Sequence, residues 1–276
     1  MSGFASDWLA LREPYDHGSR APSLLAELAA WAAPRRRLAI TDLGSGTGSN
    51  LRGTSPHLPV AQDWTLIEHD PRLIEAGSAA MGALPPGVTA TYRELDLAGD
   101  LATAIPEGTD LVTAAAFADL VSADWLERLV ATVRARRAAL YVVITYDGGW
   151  RWRPGDIFDA EIKRLFDTHQ ATDKGFGAAL GPAAVEALRQ RLDGQPGRLM
   201  VAPSDWQLGY DDRAIQTALL DGYAAAAREL APDLAGEIAD WAAQRQSHID
   251  AGRSTHRVGH QDLLWLPEPM EVEPGR

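Results

Sequence analysis

From Leu38 onward, short apolar runs alternate with stretches that carry apolar residues at helical spacing. The strand candidates are residues 38–43, 64–68, 88–95, 110–115 and 140–146, and Leu140, Tyr141, Val142, Val143 and Ile144 form an unbroken apolar run, as a strand buried on both faces requires. Between them, residues 49–57, 71–81, a short piece near 100–104 and 123–137 read as helices. This alternation predicts a parallel, doubly wound α/β sheet. Upstream, residues 6–12 and 22–33 read as helices separated by a polar turn at 15–20, and Leu24, Leu25, Leu28 and Trp31 share one face of the second. Beyond residue 146 the rhythm breaks into two helical segments (159–169 and 182–192) among turn residues. A strand (199–202), two helices (212–230 and 232–248) and a last strand (256–265) follow. The expected organisation is a helical cap over 1–37, a core over 38–147, a helical insertion over 148–196 and a segment over 197–276 that completes the core.

Composition narrows the chemistry. The chain has 276 residues, 46% hydrophobic and 23% charged, which is ordinary for a globular protein. A net charge of −12 opposes a polyanionic partner, because nucleic-acid binding needs a basic footprint. No stretch approaches the roughly 18 consecutive apolar residues of a membrane span. The first eight residues lack the basic-then-apolar pattern of a signal peptide, so the expectation is a cytoplasmic protein with neither nucleic acid nor membrane as partner. With no cysteine there is no disulfide, thiolate nucleophile or zinc–thiolate site. Among the 26 basic residues only Lys163 and Lys174 are lysines.

The informative segment is Ile40-Thr41-Asp42-Leu43-Gly44-Ser45-Gly46-Thr47-Gly48-Ser49-Asn50, an apolar strand running into a glycine-dense turn that opens a helix. Backbone N–H groups converge in such a turn and a ligand can approach closely. A dinucleotide fingerprint fails in both registers, with Ser49 or Leu51 where its third glycine belongs, and a phosphate loop fails for want of a lysine. His256 and His260 stand four apart, but in a stretch that reads as strand, so no metal site is expected.

The segment resembles the first motif of class I S-adenosylmethionine-dependent methyltransferases, a strand ending in Asp-Leu-Gly-x-Gly-x-Gly. Glu68, in Leu66-Ile67-Glu68-His69-Asp70-Pro71, matches the acid that takes the two ribose hydroxyls in that family. Asp70 reads as a helix cap before Pro71. Glu94-Leu95-Asp96-Leu97 resembles the strand end that meets the adenine, and Thr109 to Phe117 the strand that faces the methyl group. The resemblance implies a mostly parallel, seven-stranded Rossmann-like sheet and methyl transfer to a small-molecule acceptor. It places the cofactor on Asp42, Gly44, Ser45, Gly46, Gly48, Asn50, Glu68, His69, Asp96, Leu97 and Ala115, with Tyr15 and Arg20 of the cap at its methionine end. Asp42, beside the loop, would attract a cationic ligand where a phosphate site would repel it. Asp96 and Asp119 read equally well as solvated strand-end residues. A cofactor-binding protein without methylating activity, or a nucleotide-dependent oxidoreductase, are the alternatives.

In such a fold, ligands lie outside the carboxyl ends of the strands. That makes the 148–194 insertion the expected acceptor-reading element. Its polar, glycine-bounded segment from Thr168 to Gly177 has the profile of a lid. The expected catalytic residues are His169 as proton acceptor, Lys174 as partner for an anionic acceptor, and Tyr146 at the fifth strand's end. Trp150, Trp152, Asp173 and Phe176 are the expected acceptor-binding residues. The acceptor's identity and a choice between monomer and homodimer lie beyond the sequence.

Overall fold

The computed structural model describes residues 6–268, so the ends of the 1–37 and 197–276 segments, including most of the stretch read for a signal peptide, fall outside it. The strands are β1 (Arg37–Leu43), β2 (Ala61–Glu68), β3 (Val88–Glu94), β4 (Leu111–Ala115), β5 (Ala139–Arg153), β6 (Gly197–Pro203), β7 (Trp206–Leu208) and β8 (Thr255–Pro267). The helices are α1 (Ser6–Ser19), α2 (Pro22–Ala32), α3 (Ser49–Thr54), α4 (Pro71–Ala80), α5 (Leu101–Ala104), α6 (Ala123–Arg136), α7 (Asp159–Gln170), α8 (Ala184–Leu192), α9 (Arg213–Leu230) and α10 (Ala235–Asp250).

The strands form one sheet in the order β3-β2-β1-β4-β5-β8-β6, with β7 paired to β8. The first five are mutually parallel, while β8 runs antiparallel to β5, β6 and β7. The doubly wound, mostly parallel reading therefore holds, with eight strands where seven were expected; the three residues of β7 are too few to leave a pattern. The chain reverses direction between β2 and β4 on either side of β1, and ligands bind in the crevice at such a switch point. Each sheet face carries a buried core. One gathers Leu38, Ile40, Trp64, Leu66, Leu111 and Tyr141 under α2, and the other gathers Leu43, Ile67, Val112, Leu140 and Val142 under α6 and α8.

Two boundaries differ from expectation. The first helix does not stop before a polar turn: α1 continues through Pro14 to Ser19. The fifth strand does not end at Tyr146, since β5 runs to Arg153 and a division at 147/148 would cut it. Gly148 and Gly149 form a register shift in the β5–β8 ladder rather than a turn, and pairing resumes at Trp150 opposite Val258. The outgoing half of β5, the start of β8 and β7 thus rise past the carboxyl edge of the parallel strands as a wall. The helix α7 packs on α9, and α9 on α10, behind it. Among the described residues no helix is long and apolar enough to cross a membrane.

Candidate active site

The loop after β1 holds Gly44, Gly46 and Gly48 at φ of 62°, 53° and 80°, a region in which side chains are strained. At Gly44 space decides as well, because a Cβ would lie 2.5 Å from the Phe117 ring. The loop is tied to β2: Ser45 donates its N–H to the Ile67 carbonyl at 2.9 Å and Gly46 donates to Glu68 Oε2 at 2.9 Å. Glu68 Oε1 accepts from the N–H groups of His69 (2.8 Å) and Asp70 (3.0 Å). A carboxylate offers about four lone-pair sites. Three backbone donors leave buried Glu68 room for one further hydroxyl, whereas the resemblance implied two. His69 is exposed beside Glu68, and Asp70 caps α4 by accepting from the Arg72 N–H at 2.9 Å, as its position before Pro71 predicted.

Asp42 lies fully buried on the sheet face beneath the loop. It accepts from Asn50 Nδ2 at 2.7 Å, and Asn50 also donates to Thr113 Oγ1 at 3.0 Å. Burial pushes its carboxyl up to about 7, with Asn50 and then Arg20 opposing. Asp42 is therefore an internal brace and not the open carboxylate expected beside the loop. Arg20 is also interior. It donates to Thr54 Oγ1 and keeps Nε and Nη2 without a partner, while its charge bears on Asp42 and Asp262. Because Asp42 holds its proton in the folded chain up to about pH 7 and loses it near pH 4 when unfolded, its contribution to stability falls as pH rises across that window. Asp42→Asn keeps the acceptor for Asn50 and cannot ionise. Urea unfolding at the two ends of the window should show a smaller loss of stability for the variant than for the parent; equal losses would refute a buried, proton-holding Asp42.

The helix α1 lies over the loop. Leu9 Cδ1 would sit 3.3 Å from a Cβ on Gly46. Glu13 accepts two hydrogen bonds from Arg52 at 2.7 and 2.6 Å, and Arg52 also donates to the Thr47 carbonyl at 2.8 Å. His17 Nε2 meets the Ser49 carbonyl at 2.9 Å. Sequence reasoning missed this latch because its partners lie more than thirty residues apart. Tyr15, expected at the cofactor, is a helical residue whose hydroxyl donates to Asp212 at 2.8 Å and whose ring packs on Trp206.

At the ends of β3 and β4 the expectations divide. Asp96 is exposed and accepts from the Ala98 N–H at 2.8 Å, closing a turn, while Leu97 is core and its carbonyl accepts from Trp125 Nε1 at 2.7 Å. Ala115 ends β4 half-buried. Ala116 then takes a left-handed φ of 50°, costly for a residue with a Cβ, and Phe117 lies across Gly44. Two residues on is Asp119, buried, with Oδ1 unpartnered and its carboxyl pushed up by burial to about 6.

The expected lid is a largely exposed corner closed by its own hydrogen bonds. His169 meets Glu229 of α9 at 3.3 Å. Lys174 Nζ donates to the His169 carbonyl at 3.0 Å and to Thr172 Oγ1 at 2.9 Å, closing the end of α7. Asp173 accepts from the N–H groups of Gly175 and Gly177. None of these partners belongs to the glycine loop or the strand ends: Lys174 and Asp173 bond within the turn, and the His169 ring pairs across to α9. Phe176 does reach the site's floor, packing edge-on against Phe117 at 5.4 Å. Tyr146 donates to Asp167 at 2.8 Å, which with burial holds its hydroxyl protonated well above the usual range. Trp150 stacks on Tyr223 and Trp152 on His256, in the wall's core. Their outer edges border a cleft of about 400 Å³ with Asp159 and Lys163, between β5 and α7. The two histidines of β8 are buried, and burial holds both down to about 3.

No family model and no curated protein matches the chain. Solved structures do. The cyclopropane synthase MmaA2 from Mycobacterium tuberculosis matches at a TM-score of 0.50 and 11% identity over 94% of each chain. The plantazolicin methyltransferase BpumL, solved with S-adenosylhomocysteine, matches at 0.49 and 12% identity over 95% of this chain and 88% of its own. At such identities the likeness concerns the fold alone, a mostly parallel Rossmann-like sheet of the kind found in S-adenosylmethionine-dependent methyltransferases.

Proposed function

We propose that this chain, with its class I methyltransferase fold, binds S-adenosylmethionine and passes the methyl group in line to a small-molecule acceptor. The observation that carries the reading is the acid-braced glycine loop, with Glu68 beneath Gly46 and α1 latched above. The donor set fits that cofactor: the loop has no lysine, Arg52 beside it is committed to Glu13 and to the Thr47 carbonyl, and Arg20 lies buried beneath it against Thr54. A phosphate would meet the Glu68 carboxylate there, whereas a ribose hydroxyl finds an acceptor and a sulfonium an attractive field.

When bound, the cofactor supplies an electrophilic methyl group. The protein's part is positional: Glu68 would hold a ribose hydroxyl, the left-handed loop lets the backbone approach, and Leu9 with the rest of α1 keeps water out. Holding donor and acceptor in line in a dry pocket lowers the barrier without a protein nucleophile. Isothermal titration calorimetry should show binding of S-adenosylhomocysteine in the range of about 1–100 μM, near −8 to −5 kcal/mol, and no heat with NAD. NAD binding without S-adenosylhomocysteine binding would sink the reading.

A further inference from the structure

Asp119 differs from the acids that brace the loop. Glu68 accepts three backbone hydrogen bonds and Asp16 is held by Arg12; Asp42 and Asp119 each keep one buried oxygen with no donor, but Asp42 is fixed through its other oxygen by Asn50, whereas Asp119 has no side-chain donor of that kind. A carboxylate oxygen left this way is costly unless it serves a ligand. Its location is specific. It follows the strained corner at Ala116, on the same short segment as the Phe117 ring that covers Gly44, and it feels the charge of Arg12, three residues along α1 from the Leu9 that covers Gly46. Asp119 thus lies on the turn that leaves β4 at the β1–β4 switch point, within electrostatic reach of α1.

We propose that Asp119 is a catalytic carboxylate that faces the transferring methyl group and takes the proton from an O–H or N–H acceptor. The inference rests on the cofactor reading above and narrows the acceptor to a nucleophile that carries a proton. In the step, the acceptor's lone pair forms a bond to the methyl carbon while that carbon's bond to sulfur breaks, its electron pair staying on sulfur. The proton released by the acceptor passes to Asp119.

Other groups do not duplicate this role. The turn that carries Asp119 packs against β5, α8 and the turn at 181–183. On α8, Glu186 pairs with Arg189, and Arg191 pairs with Glu127. On β5, Tyr146 is bonded to Asp167, and Asp147 accepts from the Gly149 N–H. The charge that bears on Asp119 is Arg12, itself paired with Asp16. With its carboxyl lifted to about 6, Asp119 ionises just below neutral pH, where a general base works best.

The test needs no acceptor. Calorimetry compares S-adenosylhomocysteine, with its neutral sulfur, and sinefungin, in which a protonated amine stands where the methylsulfonium stands. At about pH 8 the parent should prefer the cationic ligand by about tenfold or more, the preference should shrink at about pH 5, and Asp119→Asn should cut it severalfold at about pH 8, to the remainder set by Glu68, while still binding S-adenosylhomocysteine. A preference that is flat with pH, or that is undiminished in Asp119→Asn, overturns the proposal and leaves the cofactor reading intact. Failure of the parent to bind either ligand overturns both. Should the variant not fold, carbon-detected titration of the parent's Asp119 carboxyl decides: its midpoint should drop with sinefungin and not with S-adenosylhomocysteine, and equal midpoints refute the placement.

Discussion

Glu68→Ala should weaken S-adenosylhomocysteine binding by about 100-fold or more, and lower thermal stability as well, because its carboxylate does two things at once. It accepts from Gly46 in the loop and from His69 and Asp70 in the turn that starts α4. Hydrogen bonds to a charged acceptor contribute about 1.5–3 kcal/mol each, and three backbone donors, one of them buried, lose their partner together. Water entering the truncated site recovers part, so a net loss of about 3–5 kcal/mol is the expectation, on top of the lost ribose contact. Glu68→Gln should fall between parent and alanine, since it keeps one carbonyl acceptor and turns an N–H₂ group toward a backbone donor. Asp70→Ala is the control: it removes a helix cap for about 1 kcal/mol and should leave affinity within about threefold. Calorimetry with thermal unfolding on the three variants checks this ordering, and parent-like affinity in Glu68→Ala would remove Glu68 from the cofactor site.

What was legible in the sequence was what local physics sets. The unbroken apolar run at 140–144, the Asp70-Pro71 helix start and the three alternate glycines report on backbone conformation within a few residues, and the strands, cap and loop stand where they pointed. What was not legible depends on partners far along the chain. Pro14 normally ends a helix, yet α1 continues, and Tyr15 and His17 beyond it are held by Asp212 and Ser49. Gly148-Gly149 reads as a turn, yet β8 supplies a pairing edge that carries β5 across it. The aromatic and charged residues at 146–176 suggested a pocket, but an isolated sequence does not distinguish a lysine that grips substrate from one that closes a helix end, as Lys174 does. Asp119 is the converse: nothing local separates a solvated strand-end acid from one buried behind the Phe117 corner, and the charge that acts on it comes from Arg12, about a hundred residues earlier in the chain.

The aromatic wall yields the second large effect. Arg245 of α10, with 1% of its side chain exposed, donates to both carboxylate oxygens of Asp159 (2.6 and 2.5 Å) and to the Pro154 carbonyl, and its guanidinium lies 5.6 Å from the Trp152 ring centre. Trp241 Nε1 donates to the same carboxylate at 2.9 Å. These contacts join α10 to the start of α7 and to the end of β5, which anchors the wall behind the strand ends. Arg245→Ala would leave Asp159 with only two neutral donors, the Trp241 indole N–H and the Asp156 N–H, and open a void beside Trp152. Breaking a buried ion pair from one side costs about 3–5 kcal/mol, because the remaining charge stays uncompensated. For a chain of this size, that corresponds to a melting temperature lower by roughly 6–15 °C. Asp159→Asn with Arg245→Met removes both charges and keeps much of the volume, so the double variant should recover a large part of the loss. Neither partner touches the glycine loop, so S-adenosylhomocysteine affinity measured well below the melting transition should stay within about threefold of the parent in both variants. A fall of less than about 2 °C in Arg245→Ala would mean that the ion pair is solvated rather than buried. Lost affinity with intact folding would mean that the wall and the cofactor loop are energetically coupled, and that the acceptor site extends to α10.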